Sequence, residues 1–374
     1  MTLPATVAVD VGGTKIRAGS VIDGELAHVR SVPTPAIAGA RAVLDTIAEV
    51  AAAVIAETSG SRGAESGGRS SAGSGGLAGG GDGSGSDFVW RIGIGAAGVI
   101  DPVTGTVVSA TDSLPGWTGT DLVAELTART GLPVRVVNDV HAHALGEAAV
   151  GASNDTRSSL LVAAGTGIGS GFITDGHLLT GRNSAAGHIG HVPVAAAAGL
   201  DCPCGGTGHV EAIASGPAIL ATYRRLVRGS ADPDLVQSER AAQGQTHESA
   251  PATPSDSPTP TPASANAPVP TNTRELAAAA SAGEELALRA FDIGARALGS
   301  ALGGIVNVLS PEVVVIGGGL AEMDDAWWGP LHEAFTAELI PAASGAPLVK
   351  AELGQDAALI GAAGLWNDEP GQKH

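Results

Sequence analysis

A chain of 374 residues has room for two domains with separate cores, and with 44% hydrophobic and 16% charged residues most of it is expected to fold. A net charge of -18 at pH 7 excludes a nucleic-acid backbone as the expected partner, because that partner needs a basic surface. Two cysteines one residue apart give no disulfide framework, and neither a signal segment nor an apolar run of about 20 residues is visible, so a cytoplasmic location away from membrane is expected.

Residues 7–11 read as a short apolar strand, with 16–21 as its hairpin partner across the turn Asp10-Val-Gly12-Gly13-Thr14-Lys15. Residues 41–57 place Ala, Val, Leu and Ile at helical spacing. From 59 to 87 Gly, Ser and Ala dominate, which predicts a flexible, solvent-exposed insert. A strand follows at 91–95 and a helix at 120–130, with Asp121 near its start. Residues 134–137 form a strand ending at Asn138-Asp139, ahead of a helix at 141–150. Strands at 159–163 and 171–174 flank the turn Gly165-Thr166-Gly167-Ile168-Gly169. The Pro/Thr/Ser-rich stretch 228–273 has hardly an aliphatic residue and is expected to remain unfolded. A long amphipathic helix at 284–309 leads to a strand at 312–316 and the turn Gly317-Gly318-Gly319. Strands that end in reactive side chains and lead into helices or hairpins indicate an α/β fold.

Glycine turns placed directly after strands bring backbone N–H groups close to phosphate oxygens, and Thr14, Lys15 and Thr166 add hydroxyls and a charge. Asp10, at the end of its strand, can hold Mg²⁺ through water. Neither hairpin turn matches the P-loop pattern, and a plain tight turn accounts for either one alone. The third turn offers bare backbone on which an adenosine could lie. His191, Cys202, Cys204 and His209 make a nitrogen and sulfur set of the kind tetrahedral zinc prefers, with Glu211 two residues beyond. The alternative is two buried cysteines and two unrelated histidines.

The two hairpins, one per half of the chain, resemble the phosphate-binding pair of the sugar kinase, Hsp70 and actin superfamily. Within it the chain is similar to the ROK family (repressors, open reading frames and kinases). The matching segments are Val9-Asp-Val-Gly-Gly-Thr-Lys-Ile, Gly95-Ala-Ala-Gly98-Val, Leu114-Pro-Gly-Trp117, Val137-Asn-Asp139, Ala164-Gly-Thr-Gly-Ile-Gly169, Gly187-His-Ile-Gly-His191, Cys202-Pro-Cys204-Gly, Pro311-Glu-Val-Val-Val-Ile-Gly-Gly-Gly319 and Gly361-Ala-Ala. They are collinear from Val7 to Trp366 once the two low-complexity stretches are set aside.

The resemblance implies a two-lobed actin-like ATPase (ribonuclease H-like) fold. Residues 1–137 and a C-terminal helix at 358–374 would form the small lobe, and 138–357 the large lobe with the zinc loop. It implies ATP and Mg²⁺ on Asp10, Gly12, Gly13, Thr14, Lys15, Gly165, Thr166, Gly167, Gly317, Gly318 and Gly319. A sugar would meet Gly98, Thr111, Asn138, Asp139, His188, His191 and Glu211, with Asp139 taking the proton from the 6-hydroxyl during in-line phosphoryl transfer. Structural zinc would sit on His191, Cys202, Cys204 and His209, His191 turning its second nitrogen to the sugar. A homo-oligomer, commonly a dimer, and lobe closure on the sugar are also implied.

Two departures from the family pattern carry information. His209 stands where most members have a third zinc-binding cysteine, and imidazole is an adequate substitute. His188 stands where the family's hexose kinases carry the glutamate of Glu-x-Gly-His, and Ala-Gly-His-Ile-Gly-His resembles the N-acylmannosamine kinases. A carboxylate only accepts hydrogen bonds, whereas a neutral imidazole donates or accepts, which suits an N-acyl carbonyl. N-acetylmannosamine is therefore the expected substrate, with glucose or another hexose, or an inactive sugar sensor, as alternatives. The repressor branch places a helix-turn-helix ahead of the first hairpin, and with that hairpin at Val7 none is expected. Ser113 and Trp117 have turn and packing explanations as good as any sugar contact, and Asp139 could simply cap the next helix. His141 and His143 are expected on an exposed helix face without function.

Overall fold

A computed structural model describes residues 3–66, 88–111, 114–230 and 269–367. Strand β1 (Leu3–Val11) pairs antiparallel with β2 (Lys15–Ile22), Val11 standing opposite Ile16, so the turn is confined to Gly12, Gly13 and Thr14. A third strand, β3 (Glu25–Pro33), extends this meander; as an edge strand with mostly exposed side chains it lacks the apolar run that betrays its neighbours. Helix α1 (Ala40–Ser66) lays Leu44, Ile47, Ala51 and Val54 on the sheet. It runs past its predicted end at residue 57, so 59–66 are helical and not part of an insert. The rest of that predicted insert lies outside the described residues.

Strand β4 (Phe88–Ala96) adds parallel to β1. The small hairpin β5 (Val99–Ile100) and β6 (Val107–Ser109) leads to α2 (Leu122–Thr130), where Asp121 accepts from the Ala124 N–H as N-cap. Strand β7 (Val134–Asn138) joins parallel to β4, giving the order β3-β2-β1-β4-β7, and α3 (Asp139–Val150) follows at once.

The second half repeats the plan. Strands β8 (Ser159–Ala164), β9 (Ile168–Thr174) and β10 (His177–Leu178) form the meander. After α4 (Glu211–Ala214), α5 (Gly216–Ser230), α6 (Thr273–Ser281) and α7 (Glu285–Leu309), strand β11 (Val313–Gly317) adds parallel to β8. Helix α8 (Asp325–Glu338) returns the chain to β12 (Leu348–Lys350), and the order is β10-β9-β8-β11-β12. Residues 228–230 thus end α5, and 273 opens α6; the predicted unfolded stretch between 231 and 268 lies outside the described residues. The last helix, α9 (Ala357–Gly364), is shorter than predicted.

Each sheet has its own core: Val7, Val9, Ile47, Ile92 and Trp117 in one, Leu160, Val314, Phe291, Leu302 and Trp327 in the other. Trp117 is fully buried and its Nε1 donates to the Ala97 carbonyl at 2.9 Å, which settles it as a packing residue. Helices α3 and α9 lie between the sheets. Ala358, Leu359 and Ala362 of α9 pack on Ala8 and Val137, while Ala144 of α3 packs on Leu161 and Ile173. The two helices cross on bare backbone: a methyl group added at Gly361 would stand 1.8 Å from the Ala142 carbonyl oxygen. Two sheets of matching strand order, joined through a pair of central helices, are the actin-like ATPase fold. Among the described residues no helix is long and apolar enough to cross a membrane.

Candidate active site

The parallel strands of both sheets end on one cleft, where open α/β sheets bind ligands. Two cavities occupy it. One, of about 690 Å³, is lined by Gly98, Thr111, Asn138, Asp139, His188, His191, Glu211 and the turn Gly165-Thr166-Gly167. The other, of about 450 Å³, is lined by Asp10, Lys15, Asp139, His143, Gly317, Gly318 and Gly319, with Lys350 and Gln355. Asp139 and Gly318 belong to both walls. Gly12, Gly13 and Thr14 form the turn beside the second cavity without lining it.

Asp139 is the first residue of α3, and Asn138, not Asp139, is the N-cap. The Asn138 Oδ1 accepts from the N–H groups of Val140 and His141 at 3.0 and 3.1 Å. Its Nδ2 donates to the Gly98 carbonyl at 2.9 Å and to Asp139 Oδ1 at 2.8 Å. That engages all its hydrogen-bonding capacity, so in this arrangement Asn138 orients Asp139 and anchors Gly98. Val140 N–H also donates to Asp139 Oδ1, at 2.9 Å. Burial raises the Asp139 pKa, against the lowering effect of these hydrogen bonds and of His188 nearby. Asp10 is raised from 3.8 to about 6, first by burial and then by the charge of Asp139. Two carboxylates that repel each other on the wall of one cavity are a setting that favours a divalent cation.

His191, Cys202, Cys204 and His209 bring their ligand atoms within 4.8 Å of one another. The Cys202 Sγ lies 3.7 Å from His191 Nδ1 and the Cys204 Sγ 3.2 Å from His209 Nδ1. With Zn–S near 2.3 Å and Zn–N near 2.0 Å, tetrahedral zinc sets sulfur and nitrogen about 3.5 Å apart, so the four residues fit the ion. Burial pushes the Cys202 thiol up to about 11, a cost that a bound cation removes. Because His191 turns Nδ1 toward the cysteine, its Nε2 is the nitrogen left for the first cavity. Glu211 begins α4, and its Oε2 accepts from the Ile168 N–H at 2.7 Å, tying the Cys/His loop to the second glycine hairpin.

His188 has its Nδ1 3.1 Å from the Ala185 carbonyl oxygen. A carbonyl only accepts, so this nitrogen carries the proton, and Nε2 of the neutral ring is an acceptor. The helix that begins at Asp139 corrects another expectation. His141 is 3% exposed, and the His143 Nε2 is buried with no partner on the wall of the second cavity, so neither lies on a solvent face. Sequence reasoning also passed over Glu147, which is fully buried and accepts from the N–H groups of Ala152, Glu352 and Leu353. It missed Lys350 and Gln355 as well, since β12 is too short to show a pattern; Lys15 Nζ donates to Gln355 Oε1 at 2.8 Å. Ser113 lies outside the described residues.

Residues 82–369 match the ROK family. The chain is 34% identical over 284 residues to a glucokinase of Halalkalibacterium halodurans, covering 76% of this chain and 77% of that protein. It is 30% identical over 252 residues to an N-acetylmannosamine kinase of Escherichia coli, covering 66% of this chain and 74% of that protein. Among solved structures, a ROK family glucokinase from Streptomyces griseus in complex with glucose and AMPPNP superposes with a TM-score of 0.67 at 28% identity, over 96% of this chain and 98% of that one.

Proposed function

The chain belongs to the ROK family as a sugar kinase, and from that premise we propose that it moves the terminal phosphoryl group of ATP to the 6-hydroxyl of N-acetylmannosamine. The observation that carries the reading is the position of Asp139, whose side chain lines the sugar-sized cavity and the cavity holding Asp10, Lys15 and the Gly317 turn. A carboxylate there takes the hydroxyl proton on one side as the oxygen attacks a phosphorus held on the other. Positioning does most of the catalysis in such a reaction, and Asn138 and the Val140 N–H hold Asp139 for it. Mg²⁺, when bound with the nucleotide, neutralises phosphate charge, and Asp10 is placed to hold it through water. Zinc, when bound by His191, Cys202, Cys204 and His209, fixes the loop that carries Glu211 and presents the His191 Nε2.

His188 supports the N-acyl substrate in a way that differs from the sequence argument. With Nδ1 bonded to Ala185, its Nε2 accepts, so it suits the amide N–H of an acylamino group better than the acyl carbonyl. An imidazole also lacks the negative charge with which a carboxylate would repel the acyl oxygen. A second reading, glucose, draws on the same nitrogen, since an acceptor there also serves a ring hydroxyl as a glutamate would. The glucokinase relative at 34% identity points the same way. An ADP-release assay with N-acetylmannosamine, N-acetylglucosamine, glucose and mannose separates the two. Preferred turnover of N-acetylmannosamine supports the proposal, turnover of glucose alone replaces it, and sugar binding without turnover makes the protein a sensor.

A further inference from the structure

His141 stands two residues after Asp139 on α3 and lies beside Gly171 of β9. Its Nε2 lies 3.1 Å from the Ala186 carbonyl oxygen. The carbonyl can only accept, so Nε2 carries the proton and a neutral ring donates it. Burial lowers the His141 pKa to about 4, which keeps that donor in the neutral form at working pH. Ala186 is followed by Gly187 and His188, and the His188 Nδ1 is bonded to the carbonyl of Ala185 on the other side. The His141 ring meets the His188 ring edge-on at 6.0 Å, and His188 stacks on His191 at 6.4 Å on its far side. Ser170 of β9 donates to the Gly187 carbonyl, so the loop is held from the second sheet as well. Among the described residues, the His141 tether is the side-chain hydrogen bond to this loop that comes from the helix carrying Asp139.

We propose that His141 is a positioning residue for sugar selection: through Ala186 and the edge of the His188 ring, it fixes His188 relative to Asp139, so that one rigid helix sets the distance between the proton acceptor and the group reading the C2 substituent. The inference rests on the sugar-kinase reading above. A sugar bound with its 6-hydroxyl at Asp139 can present its C2 group correctly only if both contacts keep their spacing, and displacement of about 1 Å is enough to cost much of the rate. In this role His141 touches no substrate. Its loss therefore weakens the sugar and leaves the nucleotide alone.

The test is a double-mutant cycle of His141→Leu with His188→Ala, read as KM for N-acetylmannosamine and for ATP. His141→Leu is expected to raise the sugar KM about tenfold, the size of one lost hydrogen bond to a buried carbonyl, with the ATP KM within about twofold. In the His188→Ala background, His141→Leu should add nothing further. His141→Gln, which keeps an N–H at similar reach, should recover most of the loss; His141→Asn, polar but too short, should behave as the leucine variant and covers the case in which leucine does not fold. Multiplying effects in the cycle, equal rises in both KM values, no change, or failure of His141→Gln to recover the sugar KM would each overturn the role. Wild-type protein that turns over no sugar overturns the parent reading together with this one, and is seen before any variant is made.

Discussion

Replacing Asp139 by asparagine isolates proton transfer from everything else the residue does. Both hydrogen bonds that hold the carboxylate, from Val140 N–H at 2.9 Å and Asn138 Nδ2 at 2.8 Å, go to Oδ1. An asparagine carbonyl placed at that position keeps both, so α3 should start unchanged and the melting temperature should not fall. The substitution also removes a carboxylate whose ionisation burial disfavours. What disappears is the base. General-base catalysis contributes about 10²- to 10⁴-fold, so kcat should drop by that factor, about 3–5 kcal/mol in barrier height. Sugar affinity by calorimetry should stay within about threefold, because an amide still bonds a hydroxyl. The raised pKa adds a pH signature: wild-type kcat/KM should fall on acidification at a pH above the ordinary carboxylate value of 3.8, because the base is lost once protonated. A variant that retains more than about a tenth of wild-type kcat would refute proton transfer to this carboxylate.

Cys204→Ser should lower bound zinc from one ion per chain toward none by elemental analysis, and raise the sugar KM about tenfold with less effect on ATP; zinc-free wild-type protein would remove the metal site from the account. Gly361→Ala drives a methyl group to 1.8 Å from the Ala142 carbonyl oxygen and should cost about 3 kcal/mol or more in denaturant unfolding, and an unchanged midpoint would contradict the helix crossing. Asp10→Asn should abolish turnover yet stabilise the metal-free protein at pH 7.5. The folded-state pKa of Asp10 is raised from 3.8 to about 6, so its stabilising contribution is present below about pH 4 and lost as pH rises through 6. Above that the ionised, buried carboxylate costs up to about 3 kcal/mol, which asparagine avoids. Calorimetry showing a less stable variant at pH 7.5 would contradict the sign.

The two hairpins were legible because glycine punctuates a chain where backbone must turn sharply, and the segments after β1 and β8 carry it in plain sight. Strands β3, β10 and β12 were not legible: the first is an exposed edge, the second has two residues and the third has three, too few to show a period. The cluster of His191, Cys202, Cys204 and His209 could be read because its four residues fall within nineteen and a loop needs no distant partner to gather them. Lys350 and Gln355 come to the second cavity from across the sheet, and no local signal announces that. His141 and His143 were misread for a related reason. A polar residue on a helix suggests water, but α3 has a sheet packed on either side, and only Ala149 and Val150 at its end are exposed.

That burial explains why so much function collects on one helix. Two elements connect the sheets, and α9, reading Ala-Ala-Leu-Ile-Gly-Ala-Ala-Gly, has no side-chain donor or acceptor to offer. Of the two central helices, only α3 therefore supplies polar side chains to the junction. Asn138 caps it and holds Gly98, Asp139 faces both cavities, His141 ties the loop of His188, and Glu147 anchors the backbone of Glu352 and Leu353 beside the second cavity. Asn138, Asp139 and His141 sit within the first turn of a rigid rod and Glu147 about two turns further on, so their spacing is set by helix geometry at about 1.5 Å per residue and not by loops that could drift. Asp139 thereby lines both cavities from a single element. For a reaction in which a hydroxyl and a phosphorus must meet in line, that is the economical way to hold them in register.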